Sequence, residues 1–108
     1  GVTKTEIFTE EQNRVANLAQ AFAHPARVAI LQLLAQKKAC VCGDLVEELR
    51  LAQATVSQHL KELSGYGIIQ GEINPPRVCY CINELVWEEA RQAFGALFDN
   101  FVGAASCC

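Results

Sequence analysis

The hydrophobic period of this chain changes abruptly after Gly65 and Gly67, and that change restricts its fold more than any single residue does. Upstream, apolar residues recur three and four positions apart, as on one face of a helix. Downstream, Ile68 to Ile73 and Val78 to Ile82 are β-type runs. Asn74-Pro75-Pro76-Arg77 joins them, which predicts a hairpin with a proline-stiffened tip. At the start, Thr9-Glu10-Glu11-Gln12 fits a capping box, opening a helix with Val15, Leu18, Ala19 and Phe22 on its apolar stripe. That helix stops near His24-Pro25, and Pro25 suits the first turn of the next, striped by Val28, Ile30, Leu31, Leu33 and Leu34. Ala39 to Cys42 reads as a short extended segment, and Gly43-Asp44 opens a brief helix through Leu45, Val46 and Leu49. After a tight turn at Arg50-Leu51, a further helix is expected from Ala52 to about Ser64. A last amphipathic helix, Val86 to Val102, follows the hairpin and shows Val86, Ala90, Ala93, Phe94, Leu97, Phe98 and Phe101. This order predicts a mainly α fold with a small β-hairpin: a winged helix-turn-helix with an extra helix at each end.

A chain of 108 residues accommodates one core, so residues 1–108 are read as a single domain, with about 103–108 as a flexible tail. With 51% apolar residues that core can be built. No apolar run reaches the roughly 18 residues that span a bilayer, and no signal-peptide pattern opens the sequence. The expectation is a cytoplasmic protein with no membrane partner. Enzyme chemistry finds no support in a chain with two histidines, no Gly-rich phosphate loop and no carboxylate pair in a cleft context. The net charge of −3 is unusual for a nucleic-acid binder, but its distribution is uneven. From Arg50 to Ile82 the cations Arg50, Lys61 and Arg77 face only Glu62 and Glu72. Such a chain should bind DNA modestly and in a salt-sensitive way.

Within Ala52 to Leu63, the residues Val56, Leu60 and Leu63 share one helical face, which must pack on the core. The opposite face shows Ala54, Ser57, Gln58 and Lys61, and Gln53 projects from the N-terminal end. Gln can pair with adenine through two hydrogen bonds, while Ser and Lys suit phosphates or single base contacts. Arg77, at the wing tip, suits a minor-groove or phosphate contact or an ordinary solvated turn. His59 lies nearer the packed face, as a hydrogen-bonded structural histidine would. Three segments together, Ala23-His24-Pro25-Ala26-Arg27-Val28-Ala29-Ile30-Leu31, Leu51 to Leu60 and Gly67-Ile68-Ile69, resemble the ArsR/SmtB family of metal- and metalloid-responsive repressors. The resemblance runs from about Thr9 to Phe101. It implies a homodimer joined through the first and last helices, bound to a double-stranded DNA operator of two-fold symmetry. It also implies repression that an effector relieves.

The six cysteines come as three close pairs: Cys40 and Cys42, Cys79 and Cys81, Cys107 and Cys108. Pairs this close make poor structural staples, because they close almost no loop, but good chelates or redox switches. Cys40-Val41-Cys42 resembles the family's Cys-Val-Cys box, except that Gly43 intervenes before Asp44-Leu45. A one-residue slip in an extended segment reverses its faces, so Cys42 is expected to point inward. Asn83 and Glu84 stand where the family's other site would begin, and the last helix has no histidine. Abundant thiols point to a soft effector, trivalent arsenic or antimony or a soft metal ion, taken by Cys40, Cys42, Cys107 and Cys108. Cys79 and Cys81 are the second choice. Three groupings stay open: the tail pair reaching another pair or subunit; Cys40 and Cys42 brought near Cys79 and Cys81 by strand pairing; or a disulfide or polysulfide that makes the chain a redox or sulfide sensor. Against the second stands the pattern Val78, Tyr80, Ile82, which reads as the inward set and turns Cys79 and Cys81 outward. A protein-interaction or metal-buffering winged helix that never touches DNA is the remaining alternative.

Overall fold

A computed structural model describes residues 7–37, 40–74 and 77–103, without the side chains at 42, 44, 72–74, 77 and 78. Helices α1 (Glu10–Ala21) and α2 (Pro25–Gln36) come first, then β1 (Val41–Cys42), α3 (Asp44–Leu49) and α4 (Gln53–Gly65). The wing strands β2 (Ile69–Asn74) and β3 (Arg77–Ile82) follow, and α5 (Glu84–Asp99) completes the described elements. The expected winged helix-turn-helix is present, its wing formed by the antiparallel β2–β3 pair.

Local chemistry sets the helix starts. The hydroxyl of Thr9 accepts from Gln12 N and the Gln12 side chain accepts from Thr9 N, each at 3.0 Å, closing the capping box. His24, which the sequence reading left without a role at the helix start, caps α2 by accepting from Ala26 N through Nδ1 at 3.0 Å, with Pro25 in the first turn. Asn83 does the same for α5, accepting from Val86 N. The last helix therefore begins and ends earlier than the apolar periodicity suggested. Phe101 and Val102 fall beyond it, exposed, ahead of Gly103 with φ +85°.

One core gathers Leu18 and Ala21 of α1, Ile30, Leu31 and Leu34 of α2, Leu45 of α3, and Val56, Leu60 and Leu63 of α4. Val41, Ile68, Ile69 and Ala90 complete it. Ala21, rather than the expected Ala19, is the buried alanine of α1, because the stripe turns toward Leu18 as the helix ends. Phe22 closes the seam between α1 and α5, meeting Phe94 edge-on at 5.8 Å and Trp87 at 6.3 Å.

The sheet runs β1-β3-β2, so β3 is the central strand. Val41 pairs with Tyr80 and Cys42 with Cys79 across β1–β3. Val41 is only 6% exposed and takes the inward face. The sequence reading turns the Cys42 side chain inward; that side chain lies outside the described residues. Gly43 follows it. The residue that departs from the family box turns the backbone with φ +59° and ψ −40°, outside the range comfortable for other residues. Open space surrounds it, so only the backbone resists a side chain there. Gly43→Ala should lower the stability of the chain in urea by about 1–3 kcal/mol. Gly65→Ala, at a helical position that is equally open, should instead raise it by about 0.4–1 kcal/mol.

Candidate nucleic-acid interface

Helix α4 is divided lengthwise as the sequence predicted. Val56, Leu60 and Leu63 are buried, while Gln53, Ala54, Ser57, Gln58 and Lys61 are all exposed. No side chain caps the helix start, and the amide hydrogens of such an end can donate to a phosphate oxygen. Arg50, in the turn between α3 and α4, is exposed and held in the left-handed region with φ +55°. Gln58 is less free than its exposure suggests, because its amide nitrogen donates to Glu62 Oε1 at 3.0 Å. The Arg77 side chain lies outside the described residues; its backbone pairs with Asn74 at the wing tip.

Behind the exposed face lies a polar network that sequence reasoning missed. Arg27 of α2, its side chain 15% exposed, pairs with Glu62. The same guanidinium donates to the carbonyl oxygen of Gln20 at 2.7 Å and to His59 Nδ1 at 3.4 Å, and lies 5.9 Å from the centre of the Tyr66 ring. Tyr66 returns to α1 through a 2.8 Å bond from its hydroxyl to Gln20. Three helices thus meet at one arginine. Only its place in the Pro-x-Arg segment hinted at this role, since the partners are 7 to 35 positions distant.

His59 is the structural histidine anticipated. Its ring is part-buried and 4.5 Å from that of His24. Burial first, then the charges of His24 and Arg27, push its pKa below the usual 6.5. The unfolded chain therefore binds this proton more readily than the folded one. His59 supports stability fully above pH 6.5 and loses that contribution as pH falls through its lowered pKa. Thermal melts from about pH 7 to about pH 5 should show this loss, and His59→Gln should flatten it.

Cys79 and Cys81 occupy the opposite face of β3 from Tyr80 and Ile82, which pack on the core. Cys40 and Cys81 form a disulfide, with Cα atoms 4.4 Å apart. Cys79 is itself disulfide-bonded, and its Cα partner in the ladder is Cys42. The strand-pairing alternative is therefore the grouping the structure brings together. The alternation that turns Cys79 and Cys81 outward does not part them from the first pair, because Val41 shares the inward face with Tyr80. The Cys42 side chain and all of Cys107 and Cys108 lie outside the described residues. Among the described residues no three of His, Cys, Asp or Glu are gathered to hold a metal ion. No described helix is long and apolar enough to cross a membrane.

Comparison with known proteins places this geometry. The profile of the family described as "Bacterial regulatory protein, arsR family" matches residues 24–70, from the His24 cap through α4 to the first wing strand. The biofilm growth-associated repressor of Xylella fastidiosa is 30% identical over 96 residues, which cover 89% of this chain and 81% of that protein. The transcriptional repressor SmtB of Mycobacterium tuberculosis is 41% identical over 63 residues, 58% of this chain. That match spans less than half, 46%, of the mycobacterial protein. Among solved structures, the homodimeric winged helix-turn-helix DNA-binding domain Mb0332 from Mycobacterium bovis superposes with a TM-score of 0.65. It covers all of this chain and 98% of its own, at 21% identity.

Proposed function

Since the chain belongs to the arsR family of bacterial regulatory proteins, we propose that it is a homodimeric repressor that reads double-stranded DNA through α4 and releases it when its cysteines react with a thiophilic effector. The observation that carries this reading is the division of α4. An exposed row of Gln53, Ala54, Ser57, Gln58 and Lys61 is backed by three buried apolar residues and steadied through Arg27. Such a helix enters the major groove with its N-terminal residues on the base edges, while the wing, carrying Arg77, follows the neighbouring backbone. Gln53 reads a base, Ser57 and Lys61 take base or phosphate contacts, and the small side chain of Ala54 permits close approach. The relatives named above and the division of α4 support repression, for which the proposed setting is the cytoplasm.

The dimer rests on apolar surface that one chain leaves uncovered. Ile7 and Phe8 before α1, Leu97 and Phe98 at the end of α5, and Phe101 just beyond it are exposed; Phe98 is 70% so. Pairing two such ends buries them and places two α4 helices about a two-fold axis, which calls for an operator of matching symmetry. In a band-shift at low salt, Gln53→Ala and Ser57→Ala should each weaken operator binding about tenfold, from the roughly 1–3 kcal/mol a good base contact contributes. Undiminished binding by both variants would remove α4 as the reading element.

The effector is trivalent arsenic or antimony, or a soft metal ion, held by thiolates of Cys40, Cys42, Cys107 and Cys108, with Cys79 and Cys81 as further donors. In the disulfide form Cys40, Cys79 and Cys81 have no thiolate to give. Once reduced, the 4.4 Å separation of their Cα atoms puts both sulfurs within reach of one soft centre. A second reading, control by thiol redox state or sulfide, is favoured by the Cys40–Cys81 bond itself. Arsenite and an oxidant, titrated separately into the reduced protein–operator complex, choose between them. Release by arsenite supports the first and release by the oxidant alone the second, while a complex that survives both sinks the pair.

A further inference from the structure

The Cys40–Cys81 disulfide forms part of the wall of a concavity of about 580 Å³, open to solvent, at the junction of α2, the sheet and α5. Its volume falls in the range that takes small molecules. The other walls are mixed in a specific way. Lys37 supplies an ammonium, Glu84 a carboxylate, Gln70 and Asn83 two amides, and Trp87 an apolar surface. Lys37 lies 3.6 Å from Glu48, but both are exposed and such pairs yield readily to a competing anion. A disulfide facing a pocket that offers one positive group, one negative group and two amides is suited to a reagent with complementary charges and a sulfur of its own.

We propose that this concavity binds a zwitterionic low-molecular-weight thiol, a thiol amino acid or short thiol peptide, which opens the Cys40–Cys81 bond. The ligand carboxylate meets Lys37, its ammonium meets Glu84, and its sulfur is presented to the disulfide. The thiolate attacks one of the two sulfurs, forming a mixed disulfide and expelling the other cysteine as thiolate. A second molecule of the thiol attacks the mixed disulfide. It leaves with the first as a symmetrical small disulfide, and the second cysteine is freed as thiolate. Two electrons pass from two small thiols to the protein disulfide, and each attacking thiol gives up its proton to solvent on becoming a thiolate. The opened bond joins Cys40, just before β1 on the path to α3 and α4, to the central strand of the sheet. This consequence for DNA rests on the proposed cysteine control of the repressor; the binding site itself does not.

The test uses the full chain in its disulfide form, without DNA. Opening of Cys40–Cys81 is followed by alkylation and peptide mass spectrometry under reduced glutathione, 3-mercaptopropionate, cysteamine or dithiothreitol. With glutathione the rate should saturate, and with the other three it should rise in proportion to concentration. Lys37→Ala and Glu84→Gln should each raise the half-saturating glutathione concentration about threefold, the scale of an exposed ion pair, and leave the dithiothreitol rate unchanged. A glutathione rate that never saturates, or that neither substitution alters, overturns the proposal. Arsenite release of the operator is unaffected by that outcome, so failure of this site and failure of the effector reading are told apart.

Discussion

The alternation of side chains along β3 is the constraint on which the rest depends. As the central strand it is paired on both sides, so none of its residues can turn over without breaking two ladders. Tyr80 and Ile82 must face the core because the apolar surface of α2 and α5 lies there. Cys79 and Cys81 are thereby committed to the other face, and the register of β1 brings Cys40 and Cys42 to the same pair of positions. Core packing, not any preference of sulfur, therefore creates the cysteine cluster. Its position follows from burial as strictly as that of Leu63.

The same core also sets the DNA-reading helix, through one charged contact. Val56, Leu60 and Leu63 decide which face of α4 is turned in, and apolar contact by itself is non-directional. Arg27 adds direction by taking Glu62, His59 and the end of α1 together. Gln58 bonds to the same Glu62. One of the proposed reading residues is thus coupled, through a single carboxylate, to the packing of α1 and α2. The pair is only partly buried, and what it fixes is the orientation of α4 against α1 and α2.

Much of this was legible in the sequence. The capping box at Thr9, Pro25 in the first turn of α2, the split face of α4 and the change of period after Gly67 are local signals that the fold keeps. What stayed hidden depends on residues far apart. The role of Arg27 needs partners on two other helices, and the pairing of Cys40 with Cys81 spans 41 positions. The inward place of Val41 has a different origin. Counting residues assumes that an extra one is absorbed by sliding the strand, whereas here the turn at Gly43 absorbs it. The periodicity of the last helix misled in the same manner, since Phe101 continues the apolar pattern beyond the backbone that would support it. An apolar residue that a helix does not bury is then left for a partner chain.

The metalloid and redox readings of the cysteines compete for the same sulfurs, and this orders them. A sulfur held in a disulfide cannot ligate a soft ion, so any effector that uses Cys40 or Cys81 must act after the bond is opened. Conversely, an arsenic atom bridging the two thiolates blocks their reoxidation. Reduction and metalloid binding would then be successive steps on one ladder rather than rival mechanisms. The strand that carries the outcome, β3, is continuous with the wing. The bond on its outer face links it to Cys40, just before β1. Opening that bond removes a covalent tie between the wing and the segment that leads through β1 and α3 to α4, and involves no core residue. A signal of this kind needs no large rearrangement, because each DNA contact is sensitive to displacements smaller than a residue's width. The disulfide's place on the central strand of the sheet, more than its chemistry alone, suits it to the proposed control of DNA binding.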